Sequence, residues 1–159
     1  MNLYEEKLIK IFNECDKHII RITSSSGKMK SNIPLNKDKY LNLLDDEVEY
    51  IDQFLFRFSK LQDSIGEKLF KTILLYLDEK IENKPFIDIL NRLEKLELLD
   101  DVNVWRELRD DRNNLAHNYD DDPEETSEVI NKLYSKKEML INIYQHIKDF
   151  YNKRQESNQ

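Results

Sequence analysis

The sequence predicts an all-α protein, an antiparallel bundle of about five helices. It has only two glycines and three prolines among 159 residues, and 36% of its residues are charged. This composition favours long helices and leaves few of the turns that strands need. Apolar residues also recur at three- and four-residue spacing along most of the chain, which is typical of amphipathic helices. We expect a single domain over residues 1–152 and a disordered tail over residues 153–159.

Charge, cysteine content and hydropathy narrow the class of protein. The formal net charge is −7, so any contact with nucleic acid has to be local. Cys15 is the only cysteine, and without a Cys/His cluster we predict no metal site and no cofactor. The first twenty residues include early acidic residues and no unbroken apolar run, which argues against a signal peptide or a membrane span. We therefore expect a cytoplasmic protein with no membrane partner.

The first predicted helix covers residues 2–23, with Cys15 in the core, and a mobile loop over residues 24–34 follows it. Gly27-Lys28 in this loop suggests a phosphate-binding loop. The glycine five residues before it and the hydroxyl residue after the lysine are both missing, and no strand precedes it. A flexible connection is the better interpretation, and contact of Lys28, Lys30 and Lys37 with an RNA backbone is the second one. His18 and His146 are expected at the surface or its boundary, without evident partners.

The second predicted helix is the longest and covers residues 38–77. Gln62 and Gly66 interrupt its apolar face, where a helix prefers an apolar side chain and an alanine. We interpret Gly66 as a kink or a close helix crossing. Gln62 fits equally well a polar contact to the helix that carries Arg112 or a simple buried hydrogen bond.

Prolines and polar residues mark the remaining predicted helices. Pro85 opens the third helix, Asn103 caps the fourth, which ends near Tyr119, and Pro123 opens the last. On a helical wheel, the fourth helix presents a core-facing stripe. The members of this stripe are Trp105, Leu108, Leu115, Ala116 and Tyr119.

Arg112 falls near the centre of the same stripe, which makes it the main anomaly in the sequence. A guanidinium cannot lose its proton, so it is costly against apolar surface unless it is paired or lies at a wet interface. His117 lies about 140° around and about 7.5 Å along an ideal helix from Arg112. It shares a flank with Arg109 and Asn113. These groups can meet at one phosphate if the helix ends or bends near Ala116, or if two copies of the chain meet.

An arginine and a histidine suit the cleavage of RNA. A histidine beside a ribose 2′-hydroxyl can act as a general base, and an arginine can stabilise the charge that develops on the phosphoryl oxygens. By itself, the pair is equally compatible with a structural role.

One segment of the fourth predicted helix resembles the R-x4-H-x-Y motif of the HEPN superfamily, in particular the HepT-like toxins. Its sequence is Arg112-Asn113-Asn114-Leu115-Ala116-His117-Asn118-Tyr119. The resemblance covers roughly residues 45–135 and includes three more segments. They are Phe56-Arg57-Phe58-Ser59-Lys60-Leu61-Gln62-Asp63 with Gly66, Leu93-Glu94-Lys95-Leu96, and Trp105 with Leu108-Arg109. Members of this family are helical bundles and usually homodimers. They are encoded beside a small nucleotidyltransferase, with which they form a toxin-antitoxin pair.

The resemblance implies that Arg112 and His117 are the catalytic pair of a metal-independent endoribonuclease. Asn113 corresponds to the polar position after the arginine, and Tyr119 to the tyrosine that the nucleotidyltransferase adenylylates in some systems. In the family two motif helices face each other across the dimer and form a joint cleft. An arginine that looks buried in one chain then becomes an interface arginine.

Arg109 and Gln62 are expected to support this site. The same resemblance allows a different function, that of a non-catalytic subunit that binds substrate or neutralises the partner nucleotidyltransferase. The negative net charge of the chain favours that alternative. For both functions, the expected partners are a second copy of the chain and the nucleotidyltransferase. For the endoribonuclease, RNA is the expected substrate.

Overall fold

The computed structural model is an all-α helical bundle, as the sequence predicts. It describes the backbone of residues 1–118 and 121–159 and the side chains of residues 1–116 and 121–159, and none of these residues is in a β-strand. A 3₁₀ turn (Lys30–Asn32) and a π-helical segment (Ser64–Leu69) join regular helices. The helices are α1 (Leu3–Met29), α2 (Lys37–Leu41), α3 (Asp45–Asp63), α4 (Phe70–Tyr76), α5 (Phe86–Lys95), α6 (Val102–Asn118) and α7 (Pro123–Ser157).

Helices α1 and α3 pack side by side in opposite directions. At one end of the pair, the Asn32 amide donates a hydrogen bond to Glu47. At the other end, Lys68 Nζ lies 3.2 Å from Glu14 Oε1. Buried apolar side chains from α1, α3, α4, α5, α6 and α7 meet in one core, so the described chain has a single hydrophobic core.

Helix α7 closes the bundle and runs antiparallel to α1. Asn131 Nδ2 donates to the carbonyl of Leu35 at 2.8 Å, and the buried Tyr144 hydroxyl donates to Asp16 Oδ1 at 2.6 Å. Burial and a hydrogen bond to Asp16 raise the pKa of Tyr144. Although α7 has 35 residues, no helix in the described part of the chain is long and apolar enough to span a membrane.

The predicted loop over residues 24–34 is wrong over its first half, because α1 continues to Met29. Ser25 Oγ donates to the carbonyl of Arg21 at 2.7 Å and Ser26 Oγ to that of Thr23 at 3.2 Å. These bonds satisfy the serines inside a helix, and the side chain of Met29 is fully buried. Tertiary burial therefore overrides the turn-rich composition.

The predicted helix over residues 38–77 is in fact broken between α2 and α3. Asp45, Asp46 and Glu47 form the acidic first turn of α3, which favours a helix N-terminus there. Glu47 Oε1 also accepts a hydrogen bond from the backbone N–H of Leu44 at 2.9 Å. The apolar spacing predicts one uninterrupted helix here, whereas these carboxylates indicate that a new helix begins.

Two of the remaining helix starts agree with the sequence and one differs. Helix α5 begins directly after Pro85, and α7 begins at Pro123. Asn103 is not the cap of α6, which begins at Val102; Asp101 Oδ1 instead accepts from the Asn103 N–H at 2.8 Å.

The C-terminal segment is helical to Ser157, where we predicted a disordered tail from residue 153. Gln155 Nε2 donates a 2.7 Å hydrogen bond to the Tyr76 hydroxyl, which fixes the end of α7 against α4. The segment contains lysine, arginine, glutamine and glutamate, which are good helix formers, and no glycine or proline. The domain therefore extends beyond residue 152.

His18 is buried against α3. The prediction that His18 and His146 lack partners is wrong for both, since His146 Nε2 lies 2.8 Å from the carbonyl oxygen of Glu97. Arg57 Nη1 donates to His18 Nδ1 at 3.1 Å, so the imidazole is neutral at that nitrogen. Burial and the positive charge of Arg57 lower the pKa of His18. Lys60 and Lys68 also lower it, while Glu14 opposes them.

We expect acidification to destabilise the fold through His18. Its pKa is lower in the folded state than the ordinary 6.5, so the unfolded state binds more protons between the two values. Stability should therefore rise with pH through this window and fall as the pH is lowered through it. Thermal midpoints between about pH 7.5 and about pH 5 test this in the wild type and in His18→Gln, which should lose part of the dependence. An unchanged pH dependence in His18→Gln would contradict this assignment.

Candidate functional site

The buried face of α6 lies to one side of the predicted stripe. Trp105 and Leu108 are buried as predicted, and Leu115 is 9% exposed. Ala116, predicted in the core, is exposed. Asp111 is buried instead, and its Oδ2 lies 2.5 Å from Lys136 Nζ on α7. This displacement of the stripe moves Arg112 from its centre to its border.

Arg112 is half-buried and paired within the chain. Its Nη2 lies 3.0 Å from Asp63 Oδ2 at the end of α3, and the two side chains are 35% and 31% exposed. Asp63 thus balances the guanidinium charge that the sequence left unexplained. Because both groups still reach solvent, a ligand can approach the arginine without entering the core.

Arg112 lines an open cavity of about 260 Å³ between α6 and the end of α3, which we call the arginine cavity. Of the predicted site residues, Arg112, Asn113, Arg109 and Gln62 are all brought together here. The other residues that line it are Asp63, Gly66, Glu67, Lys71, Phe86 and Trp105.

Gly66 and Trp105 form the wall behind this cavity. A Cβ atom built on Gly66 would lie 2.8 Å from Trp105 Cζ2, so the indole ring packs directly on the glycine backbone. The Trp105 ring also packs against Phe70, with ring centroids 4.7 Å apart. Gly66 lies within the π-helical segment, a geometry that is frequent at functional sites. Gly66, which we interpreted as a kink or a close helix crossing, thus leaves room for the Trp105 side chain of α6.

Arg109 lies on the other side of the cavity, over an aromatic ring. Its Cζ atom is 5.5 Å from the centroid of Phe86, within the range of a cation–π interaction. Arg109 and Arg112 therefore give the cavity two cations from adjacent turns of α6.

Gln62 is 4% exposed and lines the cavity with an unpaired group. Its Oε1 is buried and has no hydrogen-bond partner among the described residues. We predicted either a polar contact to the Arg112 helix or a buried hydrogen bond for Gln62. Within the described part of the chain, this oxygen makes neither. A buried acceptor without a partner costs stability, of the order of 1–3 kcal/mol.

Gln62→Met is therefore expected to stabilise the fold by about 1 kcal/mol, because it removes the unpaired acceptor and keeps the side-chain length. Urea unfolding midpoints measure this change. Gln53→Met on the same helix provides a control at a half-buried position outside the arginine cavity. Marked destabilisation by Gln62→Met relative to this control would mean that the amide oxygen is paired after all.

The backbone of α6 is helical from Val102 to Asn118, so the helix continues past Ala116 and includes residue 117. Residues 112 and 117 are consequently about 140° apart around the helix axis. On a regular helix this separation is bridged by the second predicted route, the meeting of two copies, which stays a prediction. The side chain of His117 and all of Tyr119, the predicted modification site, lie outside the described residues.

The sequence reasoning missed three charged residues of the cavity, Asp63, Glu67 and Lys71. Asp63 and Glu67 are four residues apart, and residues at this spacing lie on the same face of a helix. This spacing was the sequence feature that could have identified them. Across the described side chains, no group of three or more His, Cys, Asp or Glu residues is arranged to hold a metal ion.

No family model matches the chain, and neither the curated proteins nor the solved structures include a match.

Proposed function

We propose that this protein is a HepT-like toxin, a metal-independent endoribonuclease whose site combines Arg112 and His117 at the interface of a homodimer. The observation that carries the proposal is the position of Arg112. It lies at the edge of the buried face of α6, accessible from an open cavity that also contains Arg109 and Asn113. A purely structural arginine needs its carboxylate partner but no second cation or open cavity beside it.

The proposed reaction uses the RNA itself as nucleophile. The ribose 2′-oxygen attacks the adjacent phosphorus while His117 takes the hydroxyl proton as general base. The bond from phosphorus to the 5′-oxygen breaks, and the leaving oxygen takes a proton from an imidazolium or from water. The products are a 2′,3′-cyclic phosphate and a 5′-hydroxyl end. Arg112 stabilises the negative charge on the phosphoryl oxygens by donating to them as a fork.

Asp63 prepares Arg112 for this role. Its carboxylate holds the guanidinium at the mouth of the cavity in the free protein. A phosphate would bind the N–H groups that Asp63 leaves free, or take the place of the carboxylate. Because the pair is partly exposed, such an exchange costs little.

A second copy of the chain supplies the missing geometry. Two positions five residues apart on a regular helix lie about 140° apart around its axis, so we expect that one chain alone does not direct Arg112 and His117 at one phosphate. Two α6 helices related by a two-fold axis would place the arginine of one chain opposite the histidine of the other. Light scattering at micromolar concentration should therefore give the mass of a dimer, and a monomer would count against the proposal.

The product ends test the activity itself. The purified chain should cleave RNA in excess EDTA, and mass spectrometry should find 2′,3′-cyclic phosphate ends. Loss of cleavage in EDTA, or products with 3′-hydroxyl ends, would contradict the proposed reaction.

Tyr119 is proposed as the position at which a nucleotidyltransferase partner switches the activity off. It lies two residues after His117, so an adenylyl group attached there would add bulk and negative charge near the cleft. Both effects would oppose RNA binding.

The non-catalytic alternative, a subunit that binds the nucleotidyltransferase, is favoured by two carboxylates. Asp63 and Glu67 line the same cavity as Arg112, and the chain as a whole carries a net charge of −7. These charges disfavour a phosphate and favour a basic protein surface. A chain that forms a tight complex with the nucleotidyltransferase and leaves RNA intact would support this function.

A further inference from the structure

A second groove lies next to the arginine cavity, between α1 and the segment that leads into α4. It has a volume of about 420 Å³ and contains four lysines, Lys7, Lys10, Lys68 and Lys71. All four lysine side chains are exposed. We call this surface the lysine groove.

The lysine groove adjoins the arginine cavity. Lys71 and Glu67 line both. A strand that leaves the arginine cavity past Lys71 would then reach the lysine groove.

The two surfaces together are basic although the protein is acidic. They contain six cationic side chains, from four lysines and two arginines, against three carboxylates, Asp63, Glu67 and Glu14. The chain as a whole carries a net charge of −7. A locally positive surface on a protein with negative net charge can bind a polyanion at that surface, while the rest of the protein does not attract it.

We propose that the lysine groove binds the backbone of the RNA strand on one side of the scissile phosphate. This inference rests on the proposed function, since it extends the same site. Flexible lysines act as point charges and suit a backbone whose sequence varies. Lys68 is already paired with Glu14 at 3.2 Å, so Lys7, Lys10 and Lys71 supply most of the available charge.

The test separates binding from cleavage by using an RNA that cannot react. A short fluorescein-labelled oligonucleotide with 2′-O-methyl groups throughout lacks the nucleophile and reports binding by fluorescence anisotropy. Affinity is measured in EDTA over a series of KCl concentrations for the wild type and for the double variant Lys7→Gln/Lys10→Gln. The control is Lys28→Gln/Lys30→Gln, which removes the same charge near the other end of α1, about 30 Å away on an ideal helix.

The slope of log affinity against log salt should become shallower by about 1.4 in the groove variant, since each lost contact to a single-stranded phosphate contributes about 0.7. The control variant should keep the wild-type slope. Equal slopes in the two variants would overturn the groove assignment, even if the wild type cleaves natural RNA. A wild type that fails to bind the oligonucleotide would also overturn it and leave the groove to an acidic protein partner. A shallower slope in a protein that does not cleave RNA would support the groove and contradict the ribonuclease.

Discussion

Replacing Arg112 with alanine is expected to lower the rate of RNA cleavage by about 10²- to 10³-fold, the usual cost of losing one donor to a developing oxyanion. The fold should survive, because the Arg112–Asp63 pair is partly exposed and such pairs contribute at most about 1 kcal/mol. The measurement is the initial rate of cleavage in EDTA, together with the thermal midpoint of each protein.

The matched control for this prediction is Arg106→Ala. Arg106 lies on the same helix, is exposed and does not line the arginine cavity. Its removal changes the net charge equally and should leave the rate nearly unchanged. Arg112→Lys keeps the charge but loses the planar fork, so we expect only partial recovery. Equal rates for Arg112→Ala and Arg106→Ala would contradict the catalytic role of Arg112.

Gly66→Ala is expected to destabilise the fold by about 1–2 kcal/mol, although alanine is the better helix former. The added methyl group would lie 2.8 Å from Trp105 Cζ2, in a wall where the indole is 2% exposed and cannot move freely. The free energy of unfolding in urea measures the effect.

Gly27 and Trp105 provide the controls for Gly66. A Cβ at Gly27 would meet nothing within 4 Å, so Gly27→Ala should stabilise α1 by about 0.5–1 kcal/mol. Trp105→Phe removes the indole atoms that oppose the methyl group. In that background, Gly66→Ala should cost clearly less, and an unchanged cost would show that the contact with Trp105 is not the cause.

Helix identity was largely predictable from sequence, because the apolar spacing and the two prolines at positions 85 and 123 mark it directly. The boundaries that failed depended on long-range contacts. Met29 keeps residues 24–29 helical by burial in the core, and Gln155 fixes the end of α7 to Tyr76. Such contacts are not visible in local spacing, since they join residues far apart in the chain.

The candidate site was predictable on α6 but not across the bundle. The anomaly of Arg112 was detectable because a charged residue falls on an apolar stripe. Its partner Asp63 is 49 residues away in the sequence. Which residues of the α6 stripe are exposed depends on the rotation of α6 against α7, where Asp111 pairs with Lys136. A helical wheel gives spacing around one helix and carries no information on that rotation.

The central claim is that Arg112 and His117 act together across two chains, and a heterodimer tests it most directly. Two differently tagged copies, one Arg112→Ala and one His117→Ala, are co-expressed and purified as the mixed dimer. By symmetry, one of the two clefts then has both an intact arginine and an intact histidine, so about half of the wild-type cleavage rate is expected, while each homodimeric variant is inactive. A heterodimer as inactive as the two homodimers would contradict the shared site.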